Sequence, residues 1–219
     1  MIVSVILPTR GRYQALRRSV DSLREKASNP SSFEVLLALD DDDQESLEQL
    51  ERDPIPASRV LVGPRVGYVN LHQYVNALCA HATGDWLFLW NDDVLMETPN
   101  WDGIVASYTG RFLLLNPDSN HNNQAMGNCP FPLLPRQWFE TLGHVALNNH
   151  FDTWVEMVAK QLGILCDIPV RVLHERFDLT GTEEDQTAKE RVFTTSAFFG
   201  PEVQAMIHRD AERLQGRVR

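Results

Sequence analysis

Along the first ninety positions, short apolar blocks alternate with stretches whose apolar residues recur at helical spacing. Ile2-Val3-Ser4-Val5-Ile6-Leu7 is nearly continuous in apolar character and is closed by Pro8, the pattern of a strand covered on both faces. From Arg12 to about Ala27, Tyr13, Leu16, Val20 and Leu23 fall on one side of a helix. After the loop Ser28-Asn29-Pro30-Ser31-Ser32, Phe33 to Leu39 reads as a second buried strand, followed by a helix to about Arg52 and a short third strand over 59–62. Leu71, Tyr74, Val75, Leu78, Cys79 and Ala82 mark one face of another helix, ended by Gly84, and Trp86 to Trp90 is a fourth apolar strand. Short strands joined by crossover helices predict an α/β fold with a single doubly wound, mostly parallel sheet. Ligands of such sheets gather at the carboxyl ends of the strands, so the loops 8–12, 40–43 and 91–94 are expected on one rim.

The second half is less regular. Phe112-Leu113-Leu114-Leu115-Asn116 predicts a strand, and Asp118 to Phe131 a polar, Asn-rich loop. Pro135 to Leu142 reads as a short helix ended by Gly143. Phe151, Trp154, Val155, Val158 and Leu162 mark a longer helix ended by Gly163. Arg171-Val172-Leu173-His174 alternates like an edge strand, 175–190 reads as a polar, mobile loop or lid, and 202–213 as a helix. Without internal repeats or a separating linker, 1–219 is expected to be a single domain, with 1–95 and 96–219 as its two halves.

Composition narrows the classes. At 43% hydrophobic the chain can bury a large core, and its formal net charge of −10 argues against a general electrostatic grip on nucleic acid or anionic membrane. Cys79, Cys129 and Cys166 match no zinc spacing and read as reduced thiols. The N-terminus lacks a basic segment with a cleavage site, and no apolar run approaches the roughly 20 residues that span a bilayer, so a soluble, cytoplasmic protein without a membrane span is expected.

Three loops carry candidate chemistry. The strand at 86–90 stops on Asn91-Asp92-Asp93, and oxygen ligands at a strand tip suit Mg²⁺ or Mn²⁺ with positions left for phosphate oxygens. The second strand ends on Asp40-Asp41-Asp42-Asp43, where Asp40 could bind a base or ribose while the others serve as a solvated turn or helix start. In Pro8-Thr9-Arg10-Gly11-Arg12, Thr9 offers a hydroxyl, Gly11 close backbone approach, and Arg10 or Arg12 a phosphate counter-charge. Neither Gly-x-x-x-x-Gly-Lys-Ser/Thr nor Gly-x-Gly-x-x-Gly occurs, which weighs against P-loop and dinucleotide enzymes.

As an ordered set these segments resemble a family 2 glycosyltransferase with the A-type, nucleotide-diphospho-sugar transferase fold. The match runs through Val5-Ile6-Leu7-Pro8-Thr9, Leu39-Asp40-Asp41, Gly67, Asn76, Ala82-Thr83-Gly84-Asp85 and Asn91-Asp92-Asp93, over about the first 95 residues. The resemblance implies a metal-dependent, inverting transfer of a sugar from a nucleotide-diphospho-sugar, with UDP favoured, to an acceptor hydroxyl on a saccharide, protein or modified base. It implies that Pro8, Thr9, Arg10, Asp40, Arg65, Asn76 and Asp92 bind the nucleotide-sugar. Asp93, Asp92 and His174 would hold Mn²⁺ or Mg²⁺. Asn91 departs from the family's Asp-x-Asp and is a poor metal ligand. Asp152 is implied as the catalytic base, with Glu156 one helical turn later in reserve. The rival readings are a nucleotidyltransferase making nucleotide-sugars and a non-catalytic glycan- or nucleotide-binding module.

Overall fold

Alternation of buried strands with amphipathic helices builds the first half as expected. In chain order these elements are β1 (Val3–Pro8), α1 (Tyr13–Lys26), β2 (Phe33–Asp40), α2 (Gln44–Arg52), β3 (Arg59–Gly63), α3 (His72–His81) and β4 (Trp86–Leu89). The computed structural model describes residues 3–56, 59–181 and 200–218. The second half contributes β5 (Val94–Met96), α4 (Trp101–Ala106), β6 (Leu114–Ser119), β7 (Leu133–Pro135), α5 (Arg136–Leu142), α6 (Phe151–Leu162), β8 (Leu165–His174), α7 (Phe177–Thr180) and α8 (Pro201–Leu214).

One eight-stranded sheet runs in the order β3-β2-β1-β4-β7-β6-β8-β5. Strands β1 to β4 are mutually parallel, while β7 pairs antiparallel with β4 and β6, and β5 antiparallel with β8, so the sheet is mixed beyond its parallel half. Both faces are covered, which is why the central strands are apolar throughout. Val5, Leu7, Leu37 and Phe88 pack beneath α1 and α4 with Leu16 and Trp101, and Ile6, Leu36 and Leu87 pack on the other face with Leu78, Trp138, Trp154 and Ile207. Each fully buried side chain of this size is worth about 1.5–3 kcal/mol.

The second half departs from its sequence pattern in three places. β6 starts at Leu114 and runs through Asp118 to Ser119, where a loop is expected, because it pairs in parallel with β8 across a register shift between Pro117 and Asp118. Pro117 and Pro169 flank that shift, and neither has an N–H for the ladder. β8 starts at Leu165 and is an interior strand, not an edge, because the three-residue β5 covers its outer side (Val94 opposite His174). Strands as short as β5 and β7 leave no periodic signal of their own. Of the expected loop 175–190, residues 177–180 form the short α7, and 182–190 lie outside the described residues.

Two buried carboxylates tie elements together. Asp102 in the first turn of α4 accepts hydrogen bonds from Ser28 N (2.8 Å), Asn29 N (3.0 Å) and Ser32 Oγ (2.8 Å), fixing the loop between α1 and β2. Asp210 on α8 accepts from Trp154 Nε1 (3.0 Å) and stands 2.9 Å from His144 Nε2, docking α8 on α6. The three cysteines are free thiols. Among the described residues no helix is long and apolar enough to cross a membrane.

Candidate active site

The three loops meet on one rim. Gly11 sits at φ +64°, a left-handed turn that suits glycine, and its N–H donates to Asp43 Oδ2 at 2.7 Å. Beside it Arg10 Nη1 donates to Asp40 Oδ2 at 2.8 Å and also pairs with Asp42. The acidic tip of β2 therefore divides its labour. Asp43 caps α2 by accepting from Ser46 N at 3.3 Å. Asp42 is exposed, and its carboxyl is held below the ordinary value, first by the Arg10 hydrogen bond and with help from Arg65. Asp40 is buried, and burial followed by its charge pushes the nearby Tyr74 phenol up to about 12.

At the tip of β4, Trp90 Nε1 donates to Ser19 Oγ (2.7 Å), which donates to Asn91 O (3.2 Å), so the α1–β4 packing fixes where the acidic pair begins. Asp92 is 1% exposed, and Thr9 Oγ1 donates to its Oδ2 at 2.6 Å. Arg12 reaches both acids, with Nη2 2.8 Å from Asp92 Oδ1 and Nη1 3.4 Å from Asp93 Oδ2. The β5–β8 pairing then brings His174 alongside, with Nε2 3.2 Å from Asp93 Oδ1. Burial opposes ionisation of Asp93, yet His174 and Arg12 outweigh it and hold the carboxyl below its ordinary value.

His174 is itself well anchored. Asn120 accepts from its N–H (2.8 Å), Asn120 Nδ2 donates to its carbonyl (3.2 Å), and the edge of the Phe131 ring contacts the imidazole. Glu175 N donates to Asp93 O at 2.8 Å, locking the two chain segments together. Asn120 is the residue of this cluster that the motifs miss, since it sits inside a segment whose pattern reads as loop. Of the two arginines in the loop after β1, Arg12 is the one at the β4 tip, while Arg10 pairs with the β2 tip.

These groups open on a cavity of about 660 Å³, lined among others by Pro8, Arg12, Asn91, Asp92, Asp93, Tyr68, Phe151, Asp152 and His174. Asp152, in the first turn of α6, enters from the opposite half of the chain, and its Oδ1 accepts from Thr153 N at 2.8 Å. Six expected site residues are outside this lining: Thr9 and Asp40, which meet Asp92 and Arg10 at the strand tips, and Glu156, Asn76, Arg10 and Arg65. Glu156 is buried and occupied, accepting from Cys129 N (2.7 Å) and pairing with Lys160 Nζ (2.6 Å). The side chain of Asn76 bridges Val145 N and Ala146 O at 2.8 and 2.9 Å. Arg10 braces the acidic tip, and Arg65 is exposed beside it.

The donor chemistry fits a divalent ion. Neighbouring donors of an octahedral Mg²⁺-type ion stand about 3 Å apart, close to the Asp93–His174 spacing of 3.2 Å. No group of three His, Cys, Asp or Glu donors is gathered among the described residues. A site of this kind relies on one or two protein ligands plus phosphate oxygens.

Residues 4–111 match the glycosyl transferase family 2 model. No curated protein sequence matches the chain. Among solved structures, residues 1–349 of TarS from S. aureus in complex with UDP-GlcNAc align with a TM-score of 0.70 at 15% identity, over 96% of this chain and 66% of that one. This chain therefore spans just under two thirds of that structure's length. The mannosyltransferase PcManGT from Pyrobaculum calidifontis, in complex with GDP-Man and Mn²⁺, aligns with a TM-score of 0.63 at 13% identity, over 98% of this chain and 74% of that one. Residues 4–111, about half of the chain, are thus similar to the family 2 glycosyltransferases, and the chain has the A-type fold of the solved glycosyltransferases it aligns with.

Proposed function

We propose that this protein transfers a sugar, with inversion, from a nucleotide-diphospho-sugar to an acceptor hydroxyl, and that it depends on Mn²⁺ or Mg²⁺. The observation that carries the reading is the opening of the Asp93–His174 pair and of Asp152 on one cavity of about 660 Å³. That volume suits a small-molecule ligand. UDP is the favoured donor nucleotide. Asp40, whose buried Oδ1 makes no hydrogen bond among the described residues, could accept the imino N–H that uracil, thymine and guanine each offer, so it supports a nucleotide and leaves the base to the test below. The TarS structure holds UDP-GlcNAc, and the PcManGT structure holds GDP-Man with Mn²⁺.

In this reading Asp152 accepts the proton of the acceptor hydroxyl while that oxygen bonds to the anomeric carbon. The bond from that carbon to the diphosphate oxygen breaks, and its electron pair leaves with the nucleoside diphosphate. A divalent ion held by Asp93 and His174 would offset the charge gathering on that leaving group. Thr9 keeps Asp92 oriented at the rim, and Arg12 adds a positive charge where a diphosphate would lie.

Thermal shift with UDP-, GDP- and TDP-sugars, with and without Mn²⁺, tests the reading. Stabilisation by a UDP-sugar that requires Mn²⁺ is the expected result. Absence of metal-dependent stabilisation by all three donors would sink it.

A further inference from the structure

Three side chains meet the four carboxylate oxygens of the acidic pair. Thr9 holds Oδ2 of Asp92, and His174 faces Oδ1 of Asp93. The two remaining oxygens, one from each acid, both face the guanidinium of Arg12, at 2.8 and 3.4 Å. Arg12 thus spans the pair where a divalent ion shared by both acids would have to enter. Its side chain is 29% exposed and lines the cavity, while Asp92 beneath it is buried. The guanidinium is therefore the partner of the two that a ligand in the cavity can reach.

We propose that Arg12 is an exchangeable counter-ion that makes divalent-metal binding depend on the nucleotide, an inference resting on the metal-dependent, nucleotide-sugar reading above. With the cavity empty of donor, Arg12 balances the charge of Asp92 and Asp93, and a dication meets an arginine already in place. A diphosphate offers the planar guanidinium a bidentate partner at least as good as two separate carboxylates. Once Arg12 turns to it, the acids need a new cation. Nucleotide and metal then promote each other's binding by the same factor, as linkage requires.

The test measures Mn²⁺ binding to the purified chain by the electron paramagnetic resonance signal of free Mn²⁺. It is run alone and with UDP, with UDP–Mn²⁺ chelation subtracted from a protein-free control. In the wild type, UDP should raise Mn²⁺ affinity about tenfold or more, within the usual range of coupling between sites. Arg12→Gln should bind Mn²⁺ alone about tenfold more tightly than wild type and show a UDP effect smaller by the same factor, the remainder coming from phosphate oxygens that ligate the ion. Arg12→Lys keeps the charge and should stay weak, and an unchanged thermal transition in both variants excludes misfolding as the cause. If Arg12→Gln binds Mn²⁺ alone no more tightly than wild type, or if UDP leaves wild-type affinity unchanged while Mn²⁺ still binds, the counter-ion role is overturned with the metal reading intact. If Mn²⁺ fails to bind any form even with UDP or GDP, the metal reading falls and takes this proposal with it.

Discussion

Nε2 of His174 lies 3.2 Å from Oδ1 of Asp93, although one residue ends β8 and the other follows β4. The contact exists because β5, immediately after Asp93, pairs antiparallel with the end of β8 and sets Val94 opposite His174. If the two side chains share a divalent ion, each should be needed for it. Asp93→Asn and His174→Gln should each lower Mn²⁺ affinity in the presence of UDP by at least the roughly tenfold that even outer-sphere partners of a metal site cost. Isothermal titration of Mn²⁺ into the UDP-loaded protein checks this. Wild-type affinity in both variants would remove the pair from any metal site.

Asp152 should separate binding from turnover. Asp152→Asn keeps the size and polarity of the side chain but removes its capacity to take a proton. Turnover should fall by about 100- to 10,000-fold, the usual worth of a positioned base. Mn²⁺-dependent stabilisation by a UDP-sugar should persist, because Asp152 enters the cavity from α6 and not from the β4 tip. Retained turnover in this variant would move the base elsewhere.

Glu156 should behave in the opposite way. Its carboxylate accepts from the backbone N–H of Cys129 and pairs with Lys160, which itself donates to Gly127 O at 2.6 Å. These contacts pin residues 127–129 onto α6. Glu156→Gln can keep the bond to Cys129 but loses the charge, so stability should drop by about 1 kcal/mol, read from urea unfolding. Donor binding and turnover per folded molecule should stay at wild-type levels. A selective loss of turnover would return Glu156 to the chemistry.

The contrast between Asp152 and Glu156 shows where reading the residues stops. Helical spacing places both on the same side of α6, but depth decides their work, and depth depends on the 127–129 loop packed over Glu156. The parallel half of the fold was legible because strands covered on both faces must be apolar along their whole length, as β1, β2 and β4 are. β5 and β7 were not, since three residues carry no period, and without β5 the neighbour of Asp93 cannot be inferred. Arg10 and Arg12 illustrate the same limit within one loop. The left-handed turn at Gly11 sends Arg10 to the tip of β2 and Arg12 to the tip of β4.

A last prediction concerns pH and lies outside the cavity. Asp102 is buried, and although burial opposes its ionisation, hydrogen bonds from Ser28, Asn29 and Ser32 prevail and hold its carboxyl below the ordinary value. A carboxyl lowered on folding stabilises the native state at pH values above its unfolded pKa, about 3.9. That stabilisation is lost as pH falls through the lower, folded value. Asp102→Asn keeps one acceptor oxygen but turns an amide toward donors, and should cost about 2 kcal/mol at neutral pH. The stability gap between wild type and variant, measured by urea unfolding, should stay constant above about pH 5 and narrow as pH drops below 3.9. A gap that persists unchanged down to pH 2 would mean that the Asp102 bonds do not depend on its charge. The loop between α1 and β2 would then be held by shape alone.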